Sequence, residues 1–398
     1  MTASPGRSIL PPLSPAEQRH SRALAARIRE QLLAAGGWLS FERFMELALY
    51  APGLGYYSAG STKLGGGGDF VTAPEVSDLF GRCLARQCAQ VLAVTGGEIL
   101  ELGAGTGRLA AVVLAELAAH DLLPERYAIL EVSGDLRERQ RRRLATLPAA
   151  LRERIVWLER LPELPVRGVI LANEVADALP CRRFACGAEG VTEVGVALAS
   201  SPTGEEIRFR DAARAADPDL AGVCAAMRAT LSELPQGYTS EVCLQLAPWI
   251  ASLGDTLERG LLLLTDYGLP RRHYYHPQRT SGTLRCHFKQ RAHADPYLNV
   301  GVQDITAWVD FTRVAEAASA AGLSLGGFAT QAAFLLALGI ESLAAAAADG
   351  ARRARLAGEA LRLLMPEEMG ESFKAMALTR DLEIPLVGFA VQDLRHLL

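Results

Sequence analysis

The sequence has no excess of basic residues, and this absence argues against a nucleic-acid-binding protein. Lysine and arginine together number 41, aspartate and glutamate number 45, and the formal net charge is -4 at pH 7. A protein that binds nucleic acid carries a basic surface that neutralises phosphates. The densest basic run, Arg137 to Arg143, contains Glu138 and is typical of the solvated face of a helix. We therefore expect no nucleic-acid partner.

The sequence also lacks a cysteine framework and a recognisable metal motif. Its seven cysteines are an odd number and include no C-x-x-C pair, so neither a disulfide scaffold nor a zinc site is predicted. The histidines between His273 and His293 show no recurring ligand spacing, and we predict no metal.

Long uncharged apolar runs are missing as well. A membrane-spanning helix needs about 18 or more apolar residues in a row. The nearest approach, Phe334 to Ala348, is interrupted by Glu341. The N-terminus has no apolar core flanked by positive charge, so no secretory signal is expected. We expect no membrane partner and take the cytoplasm as the default location.

What the sequence does contain is an alternation of short apolar runs with amphipathic helical patterns. Strands separated by helices predict a parallel sheet with helical crossovers, which is the doubly wound α/β fold. The predicted strands are Glu98–Leu102, Tyr127–Glu131, Ile155–Leu158, Val169–Ala172 and Leu261–Thr265, and the predicted helices include Arg108–His120 and Asp135–Leu147.

The regions outside this alternation suggest added layers. Ser14 to Glu17 has the pattern of a capping box that begins a helix, and Thr72 to Glu75 repeats it. We interpret residues 1–64 as a tail and an N-terminal helical layer, and residues 65–398 as the core. An insertion is predicted at about 180–255, with antiparallel strands at about 185–210 and a helix at about 211–233.

A glycine loop follows the first predicted strand and begins a helix. Gly103, Ala104, Gly105 and Gly107 would let the backbone approach a ligand closely. Dinucleotide enzymes use G-x-G-x-x-G, with a pyrophosphate at the helix N-terminus. Here the third glycine comes one residue early, and Glu101 lies two residues before the first. A carboxylate there would repel a pyrophosphate, but it suits the ammonium group of S-adenosylmethionine.

Glu131, at the end of the second predicted strand, can accept hydrogen bonds from both hydroxyls of a ribose. Dinucleotide sites and S-adenosylmethionine sites both use this device, so Glu131 does not separate them. A plain strand-to-helix turn with a solvated glutamate nearby is the structural alternative.

A second polar cluster follows the fourth predicted strand. Asn173, Glu174 and Asp177 come directly after a buried run, where the carboxyl ends of parallel strands face the ligand crevice. Carboxylates there could orient a nitrogen nucleophile and help to remove its proton. Helix capping by Asn173 or Asp177 remains open as a structural alternative.

Taken together, these motifs resemble those of the MidA-like S-adenosylmethionine-dependent methyltransferases, a family that includes a mitochondrial complex I assembly protein that methylates arginine. The resemblance extends over about residues 41–340. The matching segments are Gly55–Tyr57, Gly68–Ser77, Phe80–Gly81, Glu101–Gly107, Asn173–Pro180, Asp266–Gly268, Gly282–Leu284, Gln303–Thr306 and Val309–Phe311.

This resemblance implies a class I (Rossmann-like) methyltransferase fold with an inserted substrate-side region and S-adenosylmethionine as cofactor. It places Asp69, Thr72, Pro74 and Glu75 beside the cofactor. It implies methylation of an arginine nitrogen in a partner protein, with a respiratory-complex subunit as the partner by family analogy. Methylation of a small molecule and a cofactor-binding assembly role with little turnover remain alternatives. The sequence specifies neither the acceptor, nor the number of methyl groups, nor the oligomeric state.

Overall fold

The computed structural model of the chain describes residues 10–59, 71–188, 190–200, 207–229, 231 and 233–398. Its strands are β1 Glu98–Leu102, β2 Tyr127–Leu130, β3 Ile155–Leu158, β4 Val166–Asn173, β5 Arg182–Gly187, β6 Gly190–Leu198, β7 Phe209–Ala215, β8 Thr239–Val242, β9 Leu257–Leu269, β10 Arg285–Phe288, β11 Arg291–His293, β12 Asp304–Thr306, β13 Val309–Asp310, β14 Ser324–Thr330 and β15 Phe373–Arg380. Its α-helices are α1 Pro15–Ala34, α2 Phe41–Tyr50, α3 Ala73–Val76, α4 Asp78–Thr95, α5 Arg108–Ala119, α6 Gly134–Leu144, α7 Ala149–Arg152, α8 Pro218–Ala229, α9 Leu246–Thr256, α10 Arg271–Tyr274, α11 Phe311–Ala320, α12 Gln331–Ala337, α13 Ile340–Ala345 and α14 Gly350–Leu364.

The chain forms two compact units. The first comprises Met1–Phe70, Pro180–Cys243 and Tyr275–Ala307, and the second comprises Val71–Leu179, Leu244–Tyr274 and Trp308–Leu398. The N-terminal helices and the strands that follow Pro180 therefore belong to the same unit. The division predicted from the sequence, with boundaries at 64 and at about 180–255, stays a prediction.

The first unit contains a four-stranded sheet in the order β7-β6-β5-β8 and a three-stranded sheet in the order β11-β10-β12. Helix α1 begins with the predicted capping box, because Ser14 accepts the backbone N–H of Glu17 and the Glu17 carboxylate accepts the N–H of Ser14. The helix predicted over about 211–233 is wrong in its first turns. Residues Phe209–Ala215 pair antiparallel with β6 as strand β7, and the helix begins only at Pro218.

The second unit is built on a sheet in the order β14-β15-β9-β4-β1-β2-β3, with β13 also paired to β9. Strands β9, β4, β1, β2 and β3 run parallel, whereas β15 runs antiparallel between β9 and β14. Strand β1 is buried along its whole length, which fits a strand covered by helices on both faces. The predicted α/β doubly wound, Rossmann-like sheet is confirmed.

The common direction of the parallel strands determines where the polar residues at their carboxyl ends lie. The carboxyl ends of β9, β4, β1 and β2 lie in adjacent positions at one edge of the sheet. Ligands of doubly wound sheets bind outside this edge. Within the part of the chain that the structure describes, no helix is long and apolar enough to cross a membrane.

Candidate functional site

The glycine loop lies directly after β1 and adopts a backbone that favours glycine. Gly103, Gly105 and Gly107 have φ angles of 61°, 52° and 80°, in the left-handed region that other residues rarely enter. Gly107 is also crowded, since a Cβ atom there would lie 3.3 Å from Cα of Gln140. The loop therefore turns sharply and presents backbone atoms at the sheet edge.

Glu101, near the end of β1, lies two residues before Gly103. Its side chain is buried, and the Tyr127 hydroxyl donates a hydrogen bond of 2.8 Å to Oε2. Burial raises the pKa of Glu101 to about 7, and the bond from Tyr127 opposes that rise. Near neutral pH a buried carboxyl of this kind exchanges its proton readily for a bound cation.

Glu131 is the residue directly after β2 and is also buried. One carboxylate oxygen accepts the backbone N–H of Ser133 at 2.9 Å, and the other accepts Nε2 of Gln140 at 3.0 Å. Burial raises the pKa of Glu131 in the absence of a ligand. Both oxygens are held in fixed positions, as a carboxylate that receives two ribose hydroxyls requires.

Gln140, on α6, connects Glu131 with the glycine loop through hydrogen bonds. The sequence did not identify it as a site residue. Its Nε2 donates both to Glu131 and to the carbonyl of Gly105, at 3.0 Å each, and its Oε1 accepts Nε1 of Trp157. Its helix spacing marks it only as a buried position of α6. The pairing with the glycine loop appears only when α6 folds against that loop.

The segment before α4 lies against the start of α5. Oε1 of Glu75 accepts the Thr106 hydroxyl at 2.5 Å, and the Arg108 guanidinium donates to the Glu75 carbonyl at 2.7 Å. The capping box predicted at Thr72 is wrong, because the Thr72 side chain makes no capping bond and Glu75 binds Thr106 instead. Pro74 lies in the first turn of α3. The predicted site residue Asp69 lies outside the described residues.

The end of β4 carries the second predicted cluster. Glu174 has a φ angle of 52°, and its N–H donates to the carbonyl of Thr265 at 2.8 Å. Its Oε1 accepts the N–H of Ala73 at 3.1 Å and Nδ2 of Asn173 at 3.3 Å. A glutamate with a positive φ angle is uncommon, and residues with such a backbone conformation are concentrated at functional sites. The structure thus brings Asn173 and Glu174 together with the segment that holds Thr72, Pro74 and Glu75.

Asp177 and Asp266 form a buried carboxyl pair beside this cluster. Oδ2 of Asp266 accepts the N–H groups of Ala176 and Asp177 at 3.0 and 3.2 Å. Burial raises the pKa of Asp177 to about 6, although the interaction with Tyr267 opposes the rise. Burial and the charges of Asp177 and Glu174 raise the pKa of Asp266. Two carboxyls this close titrate as a pair and retain a proton at higher pH than isolated ones.

These groups fit S-adenosylmethionine. The ligand is a cation with an ammonium group and a ribose. The sheet edge offers a buried carboxyl at Glu101, a doubly hydrogen-bonded carboxyl at Glu131 and a turn of left-handed glycines between β1 and α5. A pyrophosphate at this turn would meet the buried carboxyl of Glu101, which disfavours a dinucleotide.

Comparison with known proteins agrees with this chemistry. A family model described as an S-adenosyl-L-methionine-dependent methyltransferase matches residues 83–329. A protein of Burkholderia thailandensis, solved bound to S-adenosyl-homocysteine, is 41% identical, with a TM-score of 0.91 over 98% of this chain and 100% of that chain. The mitochondrial protein arginine methyltransferase NDUFAF7 of Danio rerio is 29% identical over 385 residues, 89% of this chain and 86% of its own. Its Drosophila melanogaster homologue is 28% identical over 414 residues, which cover 95% of this chain and 90% of that protein.

The comparisons also correct one expectation. The cytoplasmic location expected from the sequence is wrong, since the curated relatives are named mitochondrial. The predicted cofactor is confirmed as S-adenosylmethionine. With the glycine loop, the two buried acidic residues and a family match over more than half its length, the chain belongs to the S-adenosyl-L-methionine-dependent methyltransferases.

Proposed function

We propose that this enzyme methylates a guanidinium nitrogen of an arginine side chain in a partner protein. The bound cofactor supplies a methyl group on a sulfonium, whose sulfur keeps the bonding electron pair when the methyl group leaves. The names of the curated relatives, protein arginine methyltransferases, support an arginine acceptor. The family resemblance suggests a subunit of a respiratory complex as the partner.

The residues that hold the cofactor are proposed from the geometry of the sheet edge. Glu101 attracts the ammonium group, Glu131 receives the ribose hydroxyls, and the turn at Gly103–Gly107, including Ala104 and Gly105, lets the ligand approach the backbone. Thr72, Pro74, Glu75 and Asn173 complete the set, and Asp69 is assigned from the resemblance alone. The hydrogen bond between Glu75 and Thr106 supports this assignment, because it fixes α3 against the residue that precedes Gly107.

The observation that carries the arginine proposal is the group of acidic side chains at the ends of β4 and β9. Glu174, Asp177 and Asp266 are close enough that the charges of the first two raise the pKa of the third. A guanidinium among them relieves this repulsion, whereas an anionic acceptor would increase it. Asn173, Glu174 and Asp177 are therefore proposed to orient the acceptor, and a carboxylate takes the proton that the nitrogen loses.

Methyl-labelled S-adenosylmethionine incubated with the enzyme and a cell lysate tests this function. We expect label in the protein fraction and, after acid hydrolysis, in methylated arginine. Label confined to the small-molecule fraction would contradict the proposal and show that the enzyme methylates a small molecule. Tight cofactor binding with no labelled product would favour an assembly role with little turnover.

Glu174→Gln links the function to the proposed residue. The amide oxygen can still accept the N–H of Ala73, so the fold around α3 is kept while the charge is lost. We expect unchanged cofactor affinity by isothermal titration and a loss of methyl transfer of at least about 100-fold. Glu341→Gln, which removes an exposed carboxylate on α13, is the matched control and should transfer at the wild-type rate. Wild-type transfer by Glu174→Gln would refute the role.

A further inference from the structure

The indole of Trp157, on β3, makes a hydrogen bond to a residue that contacts the cofactor site. Its Nε1–H donates to Oε1 of Gln140 at 3.0 Å. An indole nitrogen can only donate, so this bond fixes which end of the Gln140 amide faces Trp157. The other end, Nε2, donates at 3.0 Å each to Oε2 of Glu131 and to the carbonyl of Gly105. A continuous chain of hydrogen bonds therefore joins β3 to the end of β2 and to the glycine loop, all within the second unit.

The ring of Trp157 is itself held in place. It packs against the buried core of the second unit. The guanidinium carbon of Arg141 lies over the ring, 5.4 Å from its centroid, which is the distance of a cation–π contact. In the sheet, Trp157 pairs with Ile129 of the parallel strand β2. The indole N–H thus has a fixed position relative to the end of β2.

The Gln140 amide needs such an anchor. The terminal torsion of a glutamine side chain is soft, and this side chain is completely buried. Without the N–H of Trp157, Oε1 loses its donor, which destabilises the present orientation of the amide. Rotation of the amide would take Nε2 away from Glu131 and Gly105. Glu131 would then lose the bond that holds its Oε2, while Ser133 still donates to its Oε1.

We propose that Trp157 is a positioning residue for cofactor binding, which acts through Gln140 to hold the Glu131 carboxylate where it receives the ribose hydroxyls. The proposal rests on the proposed function, which assigns Glu131 to the ribose of S-adenosylmethionine. Two consequences follow from the chain of hydrogen bonds. The effect of Trp157 on cofactor affinity should disappear when Gln140 is removed, and it should fall on the part of the ligand that Glu131 binds.

Trp157→Phe tests the first consequence, because phenylalanine keeps an aromatic ring and lacks the N–H. Isothermal titration at about pH 7.5 should give a dissociation constant for S-adenosylmethionine about five- to tenfold above that of wild type. In the Gln140→Ala background the same substitution should change the constant by less than about twofold, since the residue through which Trp157 acts is absent. Trp249→Phe, at a half-buried tryptophan of α9 in the same unit, is the matched control and should bind like wild type. An unchanged constant in Trp157→Phe, or an equal loss in both backgrounds, would overturn the proposal.

Titration with S-adenosyl-homocysteine and with its 2′-deoxy analogue tests the second consequence. Wild type should bind the analogue about tenfold or more weakly, because the analogue lacks a hydroxyl that donates to the Glu131 carboxylate. In Trp157→Phe this penalty should shrink to about threefold or less. A merely structural change would weaken both ligands equally and leave the penalty intact, and that result would overturn the proposal.

Equal binding of the two ligands by wild type would contradict the assignment of Glu131 to the ribose, and the proposal would fail with it. An intact penalty in Trp157→Phe, measured beside a wild type that discriminates, overturns the proposal alone. Should Trp157→Phe not fold, replacement of Trp157 by 3-benzothienylalanine keeps the bicyclic ring and exchanges the N–H for sulfur. An unchanged dissociation constant in that variant would count equally against the proposal.

Discussion

Cofactor binding should depend on pH through Glu101. This side chain is buried and has a pKa of about 7 in the absence of ligand. Pairing with the ammonium group requires the carboxylate form, so below pH 7 a proton must leave before the cofactor binds. If binding is confined to the carboxylate, the dissociation constant should rise about 25-fold between about pH 7.5 and about pH 5.5, which corresponds to about 2 kcal/mol.

Isothermal titration of S-adenosylmethionine measures this dependence directly. The experiment stays below about pH 7.5, since an α-amino group itself begins to deprotonate near pH 8. Titrations in two buffers with different ionisation enthalpies also report the proton released on binding. We expect approximately one proton per cofactor at the low-pH end and a smaller number at about pH 7.5.

Two variants test whether Glu101 is the group responsible. Glu101→Gln should bind more weakly at about pH 7.5 and lose most of the pH dependence, because the amide does not titrate. Tyr127→Phe removes the hydroxyl that favours the carboxylate, so the midpoint of the affinity profile should move to higher pH. An affinity that is constant across this range in wild type, or an equal slope in Glu101→Gln, would refute the reasoning.

Three further changes probe the same site. Gly105→Val places a β-branched residue at a φ angle of 52° and should abolish cofactor binding in a protein that still folds; undiminished affinity by isothermal titration would contradict the loop assignment. Gln140→Ala removes the donor shared by Glu131 and Gly105 and should weaken cofactor affinity about tenfold or more, whereas the exposed Gln18→Ala should not. The raised pKa of Asp177 means that this group stabilises the fold at low pH and that its contribution is lost as the pH rises to about 6. Denaturant unfolding of Asp177→Asn should therefore lack a fall of about 2 kcal/mol between about pH 4 and pH 6 that wild type shows from this group, and identical pH profiles would show that Asp177 titrates normally.

The sequence predicted the parallel part of the sheet well, because local patterns specify it. Strands β1 and β3 have the predicted bounds, and the helices after β1 and β2 lie where their periodicity indicated. Strand β15 was not predicted, although it lies between β9 and β14. Its place depends on pairing with residues about 110 positions earlier in the chain, and such long-range pairing leaves no local signal.

Local chemistry by itself determined the glycine loop and the acidic strand ends. Gly103, Gly105 and Gly107 predict a turn with positive φ angles. Residues that directly follow parallel strands lie together at one edge of the sheet. Tertiary structure decided which partners hold these groups. Gln140 reaches the glycine loop across 35 residues, and Glu75 binds Thr106 instead of capping its own helix. Hydrogen bonds of this kind depend on which elements fold against one another, and a single sequence specifies that only through the completed fold.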